Sequence, residues 1–108
     1  MLNQVIAVGR IVKDVEKREE EDGKTYAEMT IAVPRSFKNE DGEYDTDFID
    51  CILWNGVADN VAEYCRKGDL VGIKGRIQST MHDGYRTTDI VAEKVTFLSN
   101  SKGGNEDE

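Results

Sequence analysis

The sequence has little of what catalytic sites and disulfide-stabilised folds are built from. Its 108 residues include one proline, two cysteines and one histidine. A single histidine excludes a metal site with two histidine ligands, and two cysteines are too few for a disulfide scaffold or a structural zinc site. A reducing cytoplasm is the ordinary compartment for such a chain, so we expect a cytoplasmic protein with no metal and no other cofactor.

Long apolar runs are also missing. No stretch approaches the roughly 20 apolar residues that a membrane span requires, and the first residues lack the pattern of a signal peptide. The hydrophobic fraction of 38% suffices for one core, and the length fits one domain. We expect a folded domain over residues 1–99 and a short disordered acidic tail over 100–108, because the tail has almost no apolar side chains.

Positive charge is scarce, with 14 basic residues against 22 acidic ones and a net charge of -8. Residues 14–28 hold seven of the acids against three bases, and residues 101–108 hold three against one. The local field, not the total charge, decides whether a polyanion is attracted to a surface. The composition therefore excludes a strongly basic, histone-like binder but not a local nucleic-acid site.

Alternating apolar residues predict five strands, over 2–12, 26–34, 47–54, 70–78 and 86–98, with hairpin turns at 39–42 and 82–84. The period becomes helical over 57–67, and Gly68 is a natural C-terminal stop. The apolar stripe of this helix is Val57, Val61, Tyr64 and Cys65. This order is that of an OB-fold, so we predict an all-β fold: a five-stranded barrel with one α-helix between strands 3 and 4.

The residues that could carry catalysis are scattered. His82 lies in a predicted turn, and Cys51 and Cys65 fall on apolar faces, where a buried thiol is inert. No glycine-rich loop joins a strand to a helix as a phosphate cradle would. We therefore expect that the protein is not an enzyme.

The third predicted strand has large apolar residues on both faces, since Ile49, Cys51 and Leu53 alternate with Phe48, Ile52 and Trp54. Large apolar residues on the outward face of a strand indicate either an exposed interaction surface or a face covered by a loop or a second subunit. Spacing along the chain does not distinguish these two possibilities. The next strand has Val71, Ile73 and Ile77 on its inward face. Lys74 and Arg76 lie on its outward face, and Phe37 lies beside Lys38. Rings interleaved with cations are typical of single-stranded nucleic-acid binding.

The chain resembles the bacterial single-stranded DNA-binding protein (SSB) family from residue 2 to about 98. The resemblance is carried by the order and spacing of LNQVIAVGR (2–10), RSFKN (35–39), TDFIDCILW (46–54), VAEYCRKG (61–68) and LVGIKGRIQS (70–79). It implies sequence-independent binding and protection of single-stranded DNA in replication, recombination or repair. The family's base-stacking aromatics match Phe37, Phe48 and Trp54, and a fourth position aligns with His82 or with Tyr85. The basic residues that we assign to phosphate contacts are Arg10, Arg35, Lys38, Lys74, Arg76 and Arg86.

The resemblance also implies a homotetramer on nucleoid DNA, with the first strand pairing across a dimer interface. Typical members have a long linker and an acidic tail with an apolar tip, which recruits replication and repair proteins. This sequence resembles a short form without that tip, so we do not expect partners recruited through a tail. The alternative is an OB-fold protein-interaction module of the primosomal accessory type, which would need fewer lysines and arginines beside its exposed rings.

Overall fold

Six strands and one helix follow one another in the computed structural model, which describes residues 2–100. They are β1 Val5–Ile11, β2 Arg18–Glu19, β3 Thr25–Lys38, β4 Tyr44–Trp54, α1 Asn55–Tyr64, β5 Leu70–His82 and β6 Tyr85–Ser99. The five predicted strands are β1, β3, β4, β5 and β6. The additional β2 has two residues and lies in the acidic stretch. The predicted strands 3 and 4 are therefore β4 and β5, and the helix lies between them as predicted. The predicted tail lies, apart from Asn100, outside the described residues.

The sheet closes on itself. Neighbouring strands follow the order β1–β5–β6–β4–β3–β2, and β1 also pairs with β3, at Arg10 and Ile11. All neighbours are antiparallel except β4 and β6, which pair in parallel at Cys51 and Ile52. The five longer strands therefore form a closed barrel with a single helix, which confirms the predicted OB-fold architecture.

The core occupies the interior of this barrel. Its largest fully buried side chains are Ile11, Met29, Ile31, Cys51, Leu53, Val71 and Ile73. Each lies on the face that alternation predicts to be inward, and burying one such side chain stabilises the fold by about 1.5–3 kcal/mol. The helix adds the buried Ala58 and Val61 and packs against β3, β4 and β6. Among residues 2–100, no helix is both long and apolar enough to cross a membrane.

Two glycines permit the close approach of strands that closure requires. A Cβ atom at Gly9 would lie 2.6 Å from the carbonyl oxygen of Ala32, where β1 meets β3. A Cβ atom at Gly75 would overlap the backbone of Val91, at the point where the register of β5 and β6 shifts by one residue. Because of this shift Glu93 has no partner on β5, and the β6 residues that pack on the core change from Ile90 and Ala92 before it to Val95 after it.

The helix ends earlier than the sequence pattern predicts. It begins at Asn55, directly after β4, and ends at Tyr64 rather than at 67. The backbone N–H of Arg66 donates to the carboxylate of Asp69 at 2.7 Å, and Gly68, with a φ of 92°, lies within this separate turn. A side-chain acceptor thus competes with the helix for a backbone donor, and the predicted last turn over 66–67 and stop at Gly68 are wrong.

Two residues predicted to point inward are exposed. Tyr64 is the last helical residue, and its ring lies in solvent rather than on the barrel. Ile77 belongs to the part of β5 beyond Gly75, where β5 pairs with β6 and no longer with β1. Both predictions fail because the periodic pattern continues past the point where the element leaves the core.

Candidate nucleic-acid interface

The outward face of β4 presents two of the predicted stacking residues. Phe48 is 68% exposed. Trp54, at the end of the strand, is partly buried beside Tyr26, and the two ring centroids are 5.7 Å apart. Because Phe48 and Trp54 are six residues apart at about 3.3 Å per residue, their Cα atoms are separated by about 20 Å. The two rings therefore lie about 20 Å apart along β4, on the outward face of the barrel wall that β3 and β4 form.

Phe37 lies on an arm formed by the ends of β3 and β4. The side-chain oxygen of Asn39 accepts hydrogen bonds from two backbone N–H groups of the turn, at 2.8 and 3.0 Å, which confirms the predicted hairpin. Phe37 is 63% exposed. The register of the two strands shifts between Pro34 and Lys38, so alternation along β3 does not by itself fix the side on which this ring lies.

His82 and Tyr85 lie together at the tip of a second arm, formed by β5 and β6. They are cross-strand partners joined by Asp83 and Gly84, whose φ values of 49° and 85° suit a tight hairpin turn. Both side chains are exposed, and Tyr85 is 76% exposed. Both residues stay predicted positions for the fourth stacking contact.

Arg35, at the base of the first arm, is held in an ion pair. Its guanidinium donates to both carboxylate oxygens of Asp47 at 2.9 to 3.2 Å, and Asp45 lies 3.6 Å from its Nη1. The hydrogen bond from Arg35 lowers the pKa of Asp47, and the same bond, with the Asp47 charge, raises the pKa of Arg35. A phosphate approaching Arg35 therefore meets a charge that two carboxylates already offset.

Arg76 and Arg10 are also engaged within the chain. The Nε of Arg76 lies 3.1 Å from the Glu93 carboxylate, and its Nη1 donates to the side-chain oxygen of Gln78 at 2.8 Å. Arg10 donates to the backbone carbonyl oxygen of Gly68 at 2.9 Å. Since that acceptor has no net charge, Arg10 keeps more of its attraction for a phosphate than Arg76 does.

The remaining predicted phosphate contacts, Lys38, Lys74 and Arg86, are exposed but not gathered at one place. Lys38 lies on the first arm, with its Nζ 5.9 Å from the centroid of the Tyr44 ring. Arg86 follows Tyr85 on the second arm. Lys74 pairs across strands with Ile6, so it belongs to the β1–β5 wall rather than to the β3–β4 wall.

Carboxylates share the outward face of the β3–β4 wall with the rings, and sequence analysis assigned them no role. Asp50 lies between Phe48 and Trp54 on β4, and its Oδ1 accepts a hydrogen bond of 2.6 Å from Thr30. Glu28, two residues before Thr30 on β3, is also exposed. Alternation already places Asp50 on the outward face, so the signal was present in the sequence.

The two thiols are buried, as the apolar faces predict. Burial, with a smaller contribution from the charge of Asp50, raises the pKa of Cys51 to about 11. Burial likewise raises the pKa of Cys65. Because the thiolate is the nucleophilic form, neither cysteine is activated for chemistry at neutral pH.

The outward face of β1 is open in the single chain. Ile6 is 72% exposed and Val8 is also exposed. Within the described residues, β1 pairs with β5 from Val5 to Arg10 but with β3 only at Arg10 and Ile11. The first half of β1 therefore combines exposed apolar side chains with an edge that no other strand within residues 2–100 occupies.

Comparison with known proteins agrees with this architecture. Residues 2–98 match the single-strand binding protein family. The chain is 42% identical to the single-stranded DNA-binding protein of Bacillus cereus over 98% of its own length and 65% of that relative's. It is 43% identical to single-stranded DNA-binding protein B of Bacillus subtilis over 91% of each chain. The chain thus spans about two thirds of the first relative and most of the second. On the match over residues 2–98, the protein belongs to the single-strand binding protein family.

Proposed function

We propose that the protein binds single-stranded DNA of any sequence and protects it during replication, recombination or repair, without acting as an enzyme. The observation that carries this proposal is the outward face of β4, where Phe48 is 68% exposed while Cys51 and Leu53 on the inward face are buried. Large apolar groups on a solvent face mark an interaction surface, and every base offers a π-face to an aromatic ring. The names of the relatives support the same ligand.

In the proposed complex, Phe37, Phe48 and Trp54 stack on bases. Each stacked base contributes about 1–3 kcal/mol by alanine substitution. His82 or Tyr85 extends the contact along the second arm. The exposed cations on the two arms, above all Lys38 and Arg86, approach phosphates. Arg10, Arg35 and Arg76 contribute less because each is engaged by a partner within the chain. Lys74 is more distant because it lies on the β1–β5 wall.

We further propose that the protein is a cytoplasmic homotetramer on nucleoid DNA, in which β1 pairs with β1 of a second copy. The open edge of β1 and the exposure of Ile6 and Val8 support this arrangement, since an unpaired strand edge with apolar side chains is a template for association. Light scattering is expected to give the mass of four chains, and Ile6→Glu is expected to lower it. A monomeric mass for the unaltered chain would contradict this part of the proposal.

Trp54 provides the test of DNA binding because it is the single tryptophan of the chain. Adding oligo-dT is expected to quench its fluorescence, and unlabelled duplex of the same length is expected to leave it nearly unchanged, since stacked bases are out of reach. Affinity is expected to fall with salt, with a slope of roughly -0.7 in log-log form per neutralised phosphate. No response to oligo-dT, in a gel shift as well as in fluorescence, would favour the protein-interaction module instead.

A further inference from the structure

The side chain of Asn3 takes the place of a strand residue at the edge of β5. Its Nδ2 donates to the carbonyl oxygen of Ile77 at 2.9 Å, and its Oδ1 accepts from the backbone N–H of Ile77 at 2.9 Å. Backbone pairing of β1 with β5 ends where Val5 lies opposite Gly75. Asn3 and Ile77 continue that register, and an amide side chain offers the same donor and acceptor as a peptide group. The contact therefore extends the support of β5 by two residues.

This contact lies at the base of the second arm, where few strand pairings join the arm to the barrel. Within the described residues, β5 pairs only with β6 from Ser79 to His82. In the same part of the chain, β6 pairs with β4 only at Ile90 and Val91. A two-stranded hairpin is marginally stable by itself. The direction of the arm therefore depends on the contacts at its base.

The base of the arm is also the place where its two strands are irregular. The register of β5 and β6 shifts between Lys74 and Gly75, and such a shift bends and twists the paired strands. Asn3 bonds to Ile77, two residues beyond Gly75 on the side of the arm. Asn3 also directly precedes the segment that enters β1 in the barrel. Its amide therefore bridges the irregular point and restrains the arm relative to the barrel.

We propose that Asn3 is a positioning residue that holds the second arm in the orientation in which its tip meets DNA. The inference rests on the proposed function, because that function assigns the fourth stacking contact to the tip. Five residues separate Ile77 from His82, about 17 Å at roughly 3.3 Å per residue, so a rotation at the base displaces the tip much more than the base. Holding the binding residues in place beforehand lowers the conformational cost of binding. Asn3 itself contacts neither base nor phosphate.

Hydrogen exchange of the full chain without DNA tests the restraint itself. Asn3→Ala is expected to speed exchange of the Ile77 amide by about threefold to tenfold, because one hydrogen bond is lost. The amide of Ile73 is expected to stay unchanged, since Ile73 pairs with Ala7 within the sheet. Gln4→Ala is the matched control, because Gln4 is the exposed neighbour of Asn3. An Ile77 amide that exchanges equally fast in Asn3→Ala and in the unaltered protein would overturn the proposal.

A comparison in two backgrounds tests the effect on binding, by titration of Trp54 fluorescence with oligo-dT. Asn3→Ala is expected to weaken binding by about twofold to fivefold, and Gln4→Ala to leave it unchanged. The second background replaces the predicted arm contacts His82, Tyr85 and Arg86 by alanine. There, Asn3→Ala is expected to cause no further loss, because the two changes act through the same contacts. Equal losses in both backgrounds would mean that Asn3 does not act through the arm, and the positioning role would be wrong.

Light scattering distinguishes positioning from an effect on assembly. Asn3→Ala is expected to keep the mass of the unaltered protein, and a lower mass would attribute the loss of affinity to assembly and overturn the proposal. If the unaltered protein does not bind oligo-dT, the proposed function fails. The hydrogen-exchange result does not depend on DNA, so this failure is distinct from a failure of the Asn3 restraint.

Discussion

The two faces of β4 have similar apolar side chains in opposite environments. The inward face has Ile49, Cys51 and Leu53, and the outward face has Phe48, Asp50, Ile52 and Trp54. Leu53 is fully buried, whereas Phe48 remains mostly in solvent although its apolar surface is larger. Burial of apolar surface drives folding, so the stability of the single chain does not account for Phe48. The inward residues of β4 therefore stabilise the barrel, whereas the outward residues are available for binding.

The largest effect is expected from the inward face. Leu53→Ala leaves a cavity in the core and is expected to lower the free energy of unfolding by about 2–5 kcal/mol. Urea denaturation at fixed protein concentration measures the change. Phe48→Ala is the companion variant and is expected to stay within about 0.5 kcal/mol of the unaltered protein. Equal losses of stability in the two variants would remove the distinction between the faces.

For DNA binding, by contrast, the outward face of β4 is expected to matter more than the inward face. Phe48→Ala loses one stacked base, so we expect DNA affinity to fall by about 1–3 kcal/mol, measured by fluorescence titration with oligo-dT. Tyr64→Ala is a matched control, because Tyr64 on α1 is an aromatic residue with the same 68% exposure. A similar loss for Tyr64→Ala would mean that exposed rings contribute regardless of their position, against the assignment of the β4 face.

A smaller effect is expected at the tip of the second arm. Tyr85→Ala is expected to weaken binding by about 1 kcal/mol, at the lower end of the range for one stacked base, and His82→Ala by less. The reason is the larger aromatic ring of Tyr85, which is 76% exposed. Titration of both variants with oligo-dT decides between them, and a larger loss for His82→Ala would assign the fourth position to the histidine.

The smallest effect concerns the exposed ion pair at the base of the first arm. Because Arg35 lowers the pKa of Asp47, the pair stabilises the folded state above the ordinary carboxyl pKa, and this contribution is lost as pH falls through the lowered value. The midpoint of urea unfolding is expected to decline slightly below about pH 4. Asp47→Asn is expected to reduce that decline, and Asp41→Asn, in the exposed turn, to retain it. If Asp47→Asn does not alter the decline in stability, other carboxylates cause that decline.

Much of the fold was predictable because strand alternation is a local property. The inward faces of β3 and β4 are as predicted, and so is the strand order around the helix. The same alternation places Phe48 and Trp54 on the outward face. The errors lie where an element leaves the core, at Tyr64 and at Ile77, because apolar periodicity does not reveal where contact with the barrel stops.

The candidate site was predictable only in part. The types of residue were recognisable, but the register shift between Pro34 and Lys38 makes the direction of Phe37 a property of the paired strands. Arg35 looks like a free cation in the sequence, and the structure pairs it with Asp47, twelve residues away. The predicted hairpin makes β3 and β4 neighbours, but the pairing of Arg35 with Asp47 depends on their register, which spacing along the chain does not fix.

The sequence by itself determined the OB-fold order, the inward and outward residues of the main strands and the chemical character of the exposed rings. These features follow from the two-residue period of a strand and from the side chains themselves. Only the tertiary structure decided which cations are paired with carboxylates, where the arms extend beyond the barrel and that Thr30 donates a hydrogen bond to Asp50. These contacts join residues of different strands, and the pairing and register of β3 and β4 bring them together.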